Sequence, residues 1–183
     1  MAATYCPCCP HIRPFFEDGG HRFQPYLSIP PPPAQDERGN LVEFLYFRGM
    51  EKKRVYHGLA RAEWTPEGIS ELREDEVFVF GSNLAGMHGG GAAYAAYRRF
   101  GAVMGCGVGL QGQSYAIPTM QGGVETIRPY VDDFVAFARE HEELFFYVTR
   151  IGCGIAGFRD EEIAPLFREA RALPNVCLPK SFL

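Results

Sequence analysis

The segment 77–91, VFVFGSNLAGMHGGG, together with the AAYAAYRRF that follows it, restricts the fold more than any other part of the chain. Val77, Phe78, Val79 and Phe80 form an apolar, strand-favouring run that fits a strand covered on both faces, as in the sheet of an α/β domain. Gly81 ends it. Ala92, Ala93, Ala95 and Ala96 are strong helix formers, small enough to approach a sheet closely. Between strand and helix, glycines expose amide N–H groups without side-chain obstruction, and the first turn of the helix adds unpaired amides of its own. The segment reads as the nucleotide- or phosphate-binding corner of an α/β domain, with Gly81, Ser82, Asn83, Gly89, Gly90, Gly91 and Ala92 around the ligand.

The rest of the chain supplies elements to complete such a domain. Five glycines between 101 and 112 disfavour a helix and suggest a loop, or a weak strand and a loop, before a strand from Ser114 to Ile117. Ile127, Tyr130, Val131, Phe134, Val135 and Ala138 recur at helical spacing and predict an amphipathic helix over 127–139. A strand over 144–151 opens onto Gly152-Cys153-Gly154, and a helix over 161–172 and a strand over 175–178 follow. Strands alternating with helices imply a sheet covered by helices, with functional loops at the C-terminal strand ends. The two glycine-rich loops, 81–91 and 152–157, both leave such ends.

Residues 75–183 are therefore expected to form the main domain. Residues 1–38, with prolines at 30–33, read as an irregular arm or polyproline II spacer. Residues 39–74 are expected to hold a strand pair, 41–47 with 54–57, and a short helix over 65–72 started by Thr65 and Pro66.

A chain of 183 residues with 46% hydrophobic content can bury one core and carry a small appendage. A net charge of -4 gives no long-range attraction for nucleic acid or an anionic membrane, so an anion must be held locally. No apolar run approaches the roughly 20 residues of a membrane span, and no signal-peptide pattern opens the chain, so a cytoplasmic location is the expectation. Oligomeric state is not legible. Cys106, Cys153 and Cys177 sit in apolar or glycine-rich surroundings and read as reduced, buried thiols. Cys6, Cys8, Cys9 and His11 offer zinc-type donors, but CPCCPH is cramped and lacks a well-spaced second pair unless His21 returns; no metal and no cofactor is assigned.

The glycine loop is neither a Rossmann fingerprint nor a Walker A motif, which lowers the weight of hydride transfer and nucleotide triphosphate hydrolysis. Ser82 and Asn83 can bond a ligand or cap the turn through their own backbone. His88 is a candidate general base, or else a structural hydrogen-bonding residue. Cys153 is a candidate nucleophile, or a packed thiol in a tight turn. Gln111, Gln113, Gln121 and Thr119 can read a base or ribose, or serve as ordinary loop residues. Asp132, Asp133, Asp160, Glu161 and Glu162 fall in early helical turns, where the helix dipole explains them without a paired-carboxylate mechanism.

Taken together, FGSNLAGMHGGGAAYAAYRRFGA, SYAIPT and FYVTRIGCGIAGFRDEEIAPLF resemble the macro-domain superfamily, whose members bind ADP-ribose and often hydrolyse ADP-ribosyl linkages. The likeness is nearest to the branch that removes ADP-ribose from glutamate or DNA bases, with related uncharacterised bacterial and phage proteins, and it covers residues 75–183. It implies a three-layer α/β/α fold with a mixed sheet. It implies that Asn83 contacts the distal ribose, and that Gly89, Gly90, Gly91 and Ala92 lie near the distal ribose and diphosphate. Gly152, Cys153, Gly154, Ile155, Ala156 and Gly157 would wrap the diphosphate, with Phe158 near the ribose. Two departures bear on mechanism. The lysine and the acid of the de-ADP-ribosylating branch fall at Met120 and Ala156, which can perform neither role.

The resulting expectation is binding of ADP-ribose or a related NAD-derived nucleotide, with hydrolysis by a positioned water that uses Asn83 and His88 as a possible activity. The alternatives are a non-catalytic ADP-ribose reader or nucleotide sink, and an unrelated nucleotide-sugar or nucleoside-diphosphate hydrolase. The expected partner is a small ADP-ribose-like ligand or an ADP-ribosylated macromolecule.

Overall fold

The computed structural model describes residues 53–183, which belong to two compact units divided between Glu63 and Trp64. In the smaller unit β1 (Lys53–Tyr56) pairs antiparallel with β2 (Leu59–Ala62). The turn between them is His57-Gly58, with φ of 49° and 75°, the left-handed pair that a two-residue hairpin needs. Segment 41–47, expected to partner this strand, lies outside the described residues, as do the arm 1–38 and the Cys6, Cys8, Cys9 and His11 cluster.

The larger unit is an α/β fold built on a mixed five-stranded sheet in the order β4-β5-β3-β6-β7. Its strands are β3 (Glu76–Ser82), β4 (Gly109–Gln111), β5 (Ser114–Pro118), β6 (Phe145–Val148) and β7 (Val176–Cys177). Central β3 runs parallel to both β5 and β6, β7 runs parallel to β6, and β4 is antiparallel to β5. The helices are α1 (Gly91–Arg99), α2 (Arg128–Glu140) and the single turn α3 (Asp160–Ile163).

Alternation along β3 divides the core between the two faces of the sheet. Phe78 and Phe80 pack with Ala93 and Ala96 of α1, while Val77 and Val79 pack with Val131, Phe134, Val135 and Ala138 of α2. Helices thus cover both faces, consistent with a three-layer α/β/α arrangement. On the α2 side Phe134 sits edge-on to Tyr115 at 5.2 Å and to Phe146 at 5.5 Å.

Several local expectations are corrected. No helix forms over 65–72: the Thr65 hydroxyl donates to Cys177 O at 2.7 Å and its amide to Leu178 O at 2.8 Å, so the supposed N-cap is tied to β7 instead. The helix expected over 161–172 is broken into α3 and 3₁₀ turns at Ala164–Phe167 and Ala170–Ala172, because Pro165 has no amide with which to continue it. The strand expected over 144–151 is confined to β6, although Thr149 still donates to Val79 O through its amide at 3.0 Å and its hydroxyl at 2.9 Å. Cys153 and Cys177 are free thiols, but Cys106 is disulfide-bonded, against its reading as a reduced thiol. No helix of the described residues is long and apolar enough to cross a membrane.

Candidate functional site

The loops that follow β3, β5 and β6 leave the sheet at one edge, because these three strands are parallel and adjacent. Gly81 marks the point where they meet. A methyl group at Gly81 would lie 3.3 Å from the Gly152 amide nitrogen and 3.6 Å from Thr119 Oγ1. Thr119 is held there by its amide and hydroxyl, which donate to Ser82 O at 2.9 and 3.2 Å. Further out the same loops meet again, since a methyl group at Gly90 would come within 3.3 Å of Ile155 Cδ1. Two glycine loops distant in sequence therefore approach each other closely.

The first loop is locked from within. Asn83 Nδ2 donates to Met87 O at 2.9 Å, and the Met87 amide donates back to Asn83 Oδ1 at 3.1 Å, a ring that uses both ends of the side-chain amide. The turn inside this ring needs glycine at 86, where φ is +62° and any side chain would collide with the backbone of Gly105 and Cys106. His88 then turns inward. It is 0% exposed, with Nε2 3.1 Å from the buried Ser82 hydroxyl and its ring edge-on to Phe80 at 5.2 Å. Burial lowers its pKa from the ordinary 6.5, so the ring is held neutral. Ser82 Oγ also donates to Asn83 O at 3.3 Å.

Past His88 the chain enters α1 through exposed Gly89 and half-buried Gly90. The N-cap is Gly90, no side chain caps the helix, and its first turn contains no acid. The first amides of α1, from Gly91 and half-buried Ala92 onward, keep the partial positive charge of an uncapped helix end. Such an end suits an anion.

The second loop is tied at its base and open at its tip. Arg150 donates to both carboxylate oxygens of Asp160, at 3.0 and 2.6 Å, and this pair holds the Asp160 carboxyl below the usual carboxylate range. The spacing of ten residues gave no warning of it. Gly152, at φ +73°, packs beneath Phe158, whose amide donates to Gly152 O at 3.1 Å, and the Gly157 amide closes a turn on Gly154 O at 3.0 Å. Gly154 and Gly157 are exposed and Ala156 is half-buried. Cys153 donates to Ile151 O at 3.4 Å, and burial together with Asp160 pushes its pKa up to about 12. At neutral pH it is a thiol, the poor nucleophile that the packing interpretation requires.

The candidate glutamines separate clearly. Gln111 accepts from the Val103 amide at 2.7 Å and donates to Cys106 O at 2.9 Å, and Gln113 donates to Arg73 O at 2.7 Å, so both brace the fold. Gln121, on the loop after β5, has its side-chain nitrogen and oxygen buried without a hydrogen-bond partner. Sequence reasoning also missed how many apolar side chains on these segments stay exposed: Leu84, Met87, Met104, Met120 and, at 78%, Ile155. Among the described residues no group of three or more His, Cys, Asp or Glu side chains could hold a metal ion.

No family model, curated protein or solved structure matches the chain.

Proposed function

We propose that the chain binds ADP-ribose or a related NAD-derived nucleotide at the C-terminal edge of β3, β5 and β6, with the diphosphate between the N-terminus of α1 and loop 152–157. The observation that carries this reading is the facing of the two loops, with Gly81 against Gly152 and Gly90 against Ile155, beside a helix end that no side chain caps. Backbone amides on two sides can neutralise a diphosphate without lysine or arginine. The exposed Met87, Met120 and Ile155 offer apolar surface to a base or ribose nearby.

Two observations favour a binding protein over a hydrolase within this reading. The Asn83 amide is engaged at both ends by Met87, and His88 is neutral, buried and set on Ser82. Hydrolysis through a water held by Asn83 and His88 would first require both side chains to leave these bonds. Titration calorimetry with ADP-ribose, NAD, ADP and AMP tests the binding itself. Saturable heat with the diphosphates and little with AMP is the expected result, and no heat from any of them at millimolar concentration would overturn it. Release of ADP-ribose from modified protein or DNA, assayed beside Asn83→Ala, separates turnover from reading.

A further inference from the structure

His88 and Gln121 both keep buried polar atoms without a hydrogen-bond partner: His88 Nδ1, and Gln121 Nε2 together with Oε1. They follow adjacent strands at the same edge of the sheet, His88 after β3 and Gln121 after β5, and the ends of those strands are in register at Ser82 and Pro118. A folded protein leaves few such groups unsatisfied, because each has given up its hydration for nothing. An amide with both atoms in that condition stands out further beside Gln111, which engages the backbone through both its oxygen and its nitrogen, and Gln113, whose nitrogen donates to Arg73 O.

Resting on the nucleotide-binding reading above, we infer that Gln121 is the specificity residue of the cleft and reads a planar group that carries an N–H donor beside an acceptor. Phosphate offers acceptors alone and would satisfy Nε2 while facing Oε1 with like charge. A primary carboxamide or an aminopurine edge satisfies both atoms at once, in the plane of the amide. An NAD-derived nucleotide has two sources of that chemistry, the nicotinamide carboxamide and the adenine edge, and the protein distinguishes ligands by which of them reaches Gln121.

The test titrates the wild-type chain, Gln121→Leu and Gln121→Glu with NAD, ADP-ribose, nicotinamide mononucleotide and ribose 5-phosphate. Both variants should weaken the probes that carry the recognised group by about tenfold or more. Ribose 5-phosphate should stay within about twofold of its wild-type affinity. Loss with NAD and nicotinamide mononucleotide, but not ADP-ribose, assigns the carboxamide; loss with NAD and ADP-ribose, but not the mononucleotide, assigns adenine. The ligand-free Gln121→Leu protein should melt no lower than wild type, because it no longer buries an unpaired amide. If Gln121→Leu does not fold, Gln121→Glu, which keeps the size and removes the donor, carries the titration. Equal weakening of every probe, or of none, overturns the inference and leaves the nucleotide reading standing. A wild-type protein that binds none of the four overturns that reading, and the role of Gln121 with it.

Discussion

Ser82 Oγ and His88 Nε2 lie 3.1 Å apart inside the domain, joining the end of β3 to the loop that leads into α1. The pair fixes where the loop starts and where it turns back. Because His88 titrates below its ordinary 6.5 in the folded state, the unfolded chain takes up this proton first as pH falls. Its contribution to stability is complete above about pH 6.5 and is lost as pH drops toward the lowered folded value. Wild-type unfolding free energy should therefore decline with acidification in that window. His88→Gln should be less stable by about 1–3 kcal/mol at pH 7.5 and show a shallower decline, read by urea unfolding at a series of pH values. Parallel curves for the two proteins would rule out the neutral, buried imidazole.

The ring between Asn83 and Met87 makes a separate claim about loop order. Asn83→Ala removes two hydrogen bonds from a partly exposed loop and should cost about 1–2 kcal/mol of global stability. The larger effect should be local. Hydrogen exchange of the Met87 amide should accelerate well beyond that of β3, while a direct ligand role for the side chain would leave exchange unchanged in the free protein.

These side chains mark how far the sequence could be read. The apolar run at 77–80, the alanines of α1 and the spacing from Ile127 to Ala138 each report on one element, and the corresponding elements formed with small shifts in their ends. The alternation of Val77 and Val79 against Phe78 and Phe80 also carried the division of the core between two faces. Pairings between distant residues left no such trace. Thr65 reads locally as a helix cap, and only the position of β7 diverts it. Asn83 and His88 read either as groups facing a ligand or as residues bonded within the loop, and nothing in a linear sequence reveals that Met87 and Ser82 hold them. Likewise, three glutamines of equal promise became one when Val103, Cys106 and Arg73 proved to occupy the other two.

Cys153 offers a chemical test of the second loop. With its pKa near 12, the thiol should react with iodoacetamide at pH 8 at least about tenfold more slowly than in the urea-unfolded chain, followed by mass spectrometry of the Cys153 peptide. Cys153→Ser should retain nucleotide affinity within about twofold, since the hydroxyl can keep the bond to Ile151 O. Fast labelling at pH 8 would mean a thiolate in the loop and would revive the nucleophile.

The facing of the two loops can be probed by adding single methyl groups that differ in what they meet. At Gly90 the methyl meets Ile155 Cδ1, the end of a flexible, exposed side chain that can move aside. Gly90→Ala should hold the melting temperature within about 2 °C of wild type, and alanine can restrict the backbone of the unfolded chain more than glycine does. At Gly81 the methyl meets the Gly152 backbone amide at 3.3 Å, which cannot yield without moving a loop. Gly81→Ala should cost about 1–3 kcal/mol, as overpacking does elsewhere. If the diphosphate sits between the loops, both variants should lose affinity for ADP-ribose by about tenfold, although only one loses stability. Affinity that simply follows stability, with Gly90→Ala binding as wild type, would move the ligand away from the gap between Gly90 and Ile155.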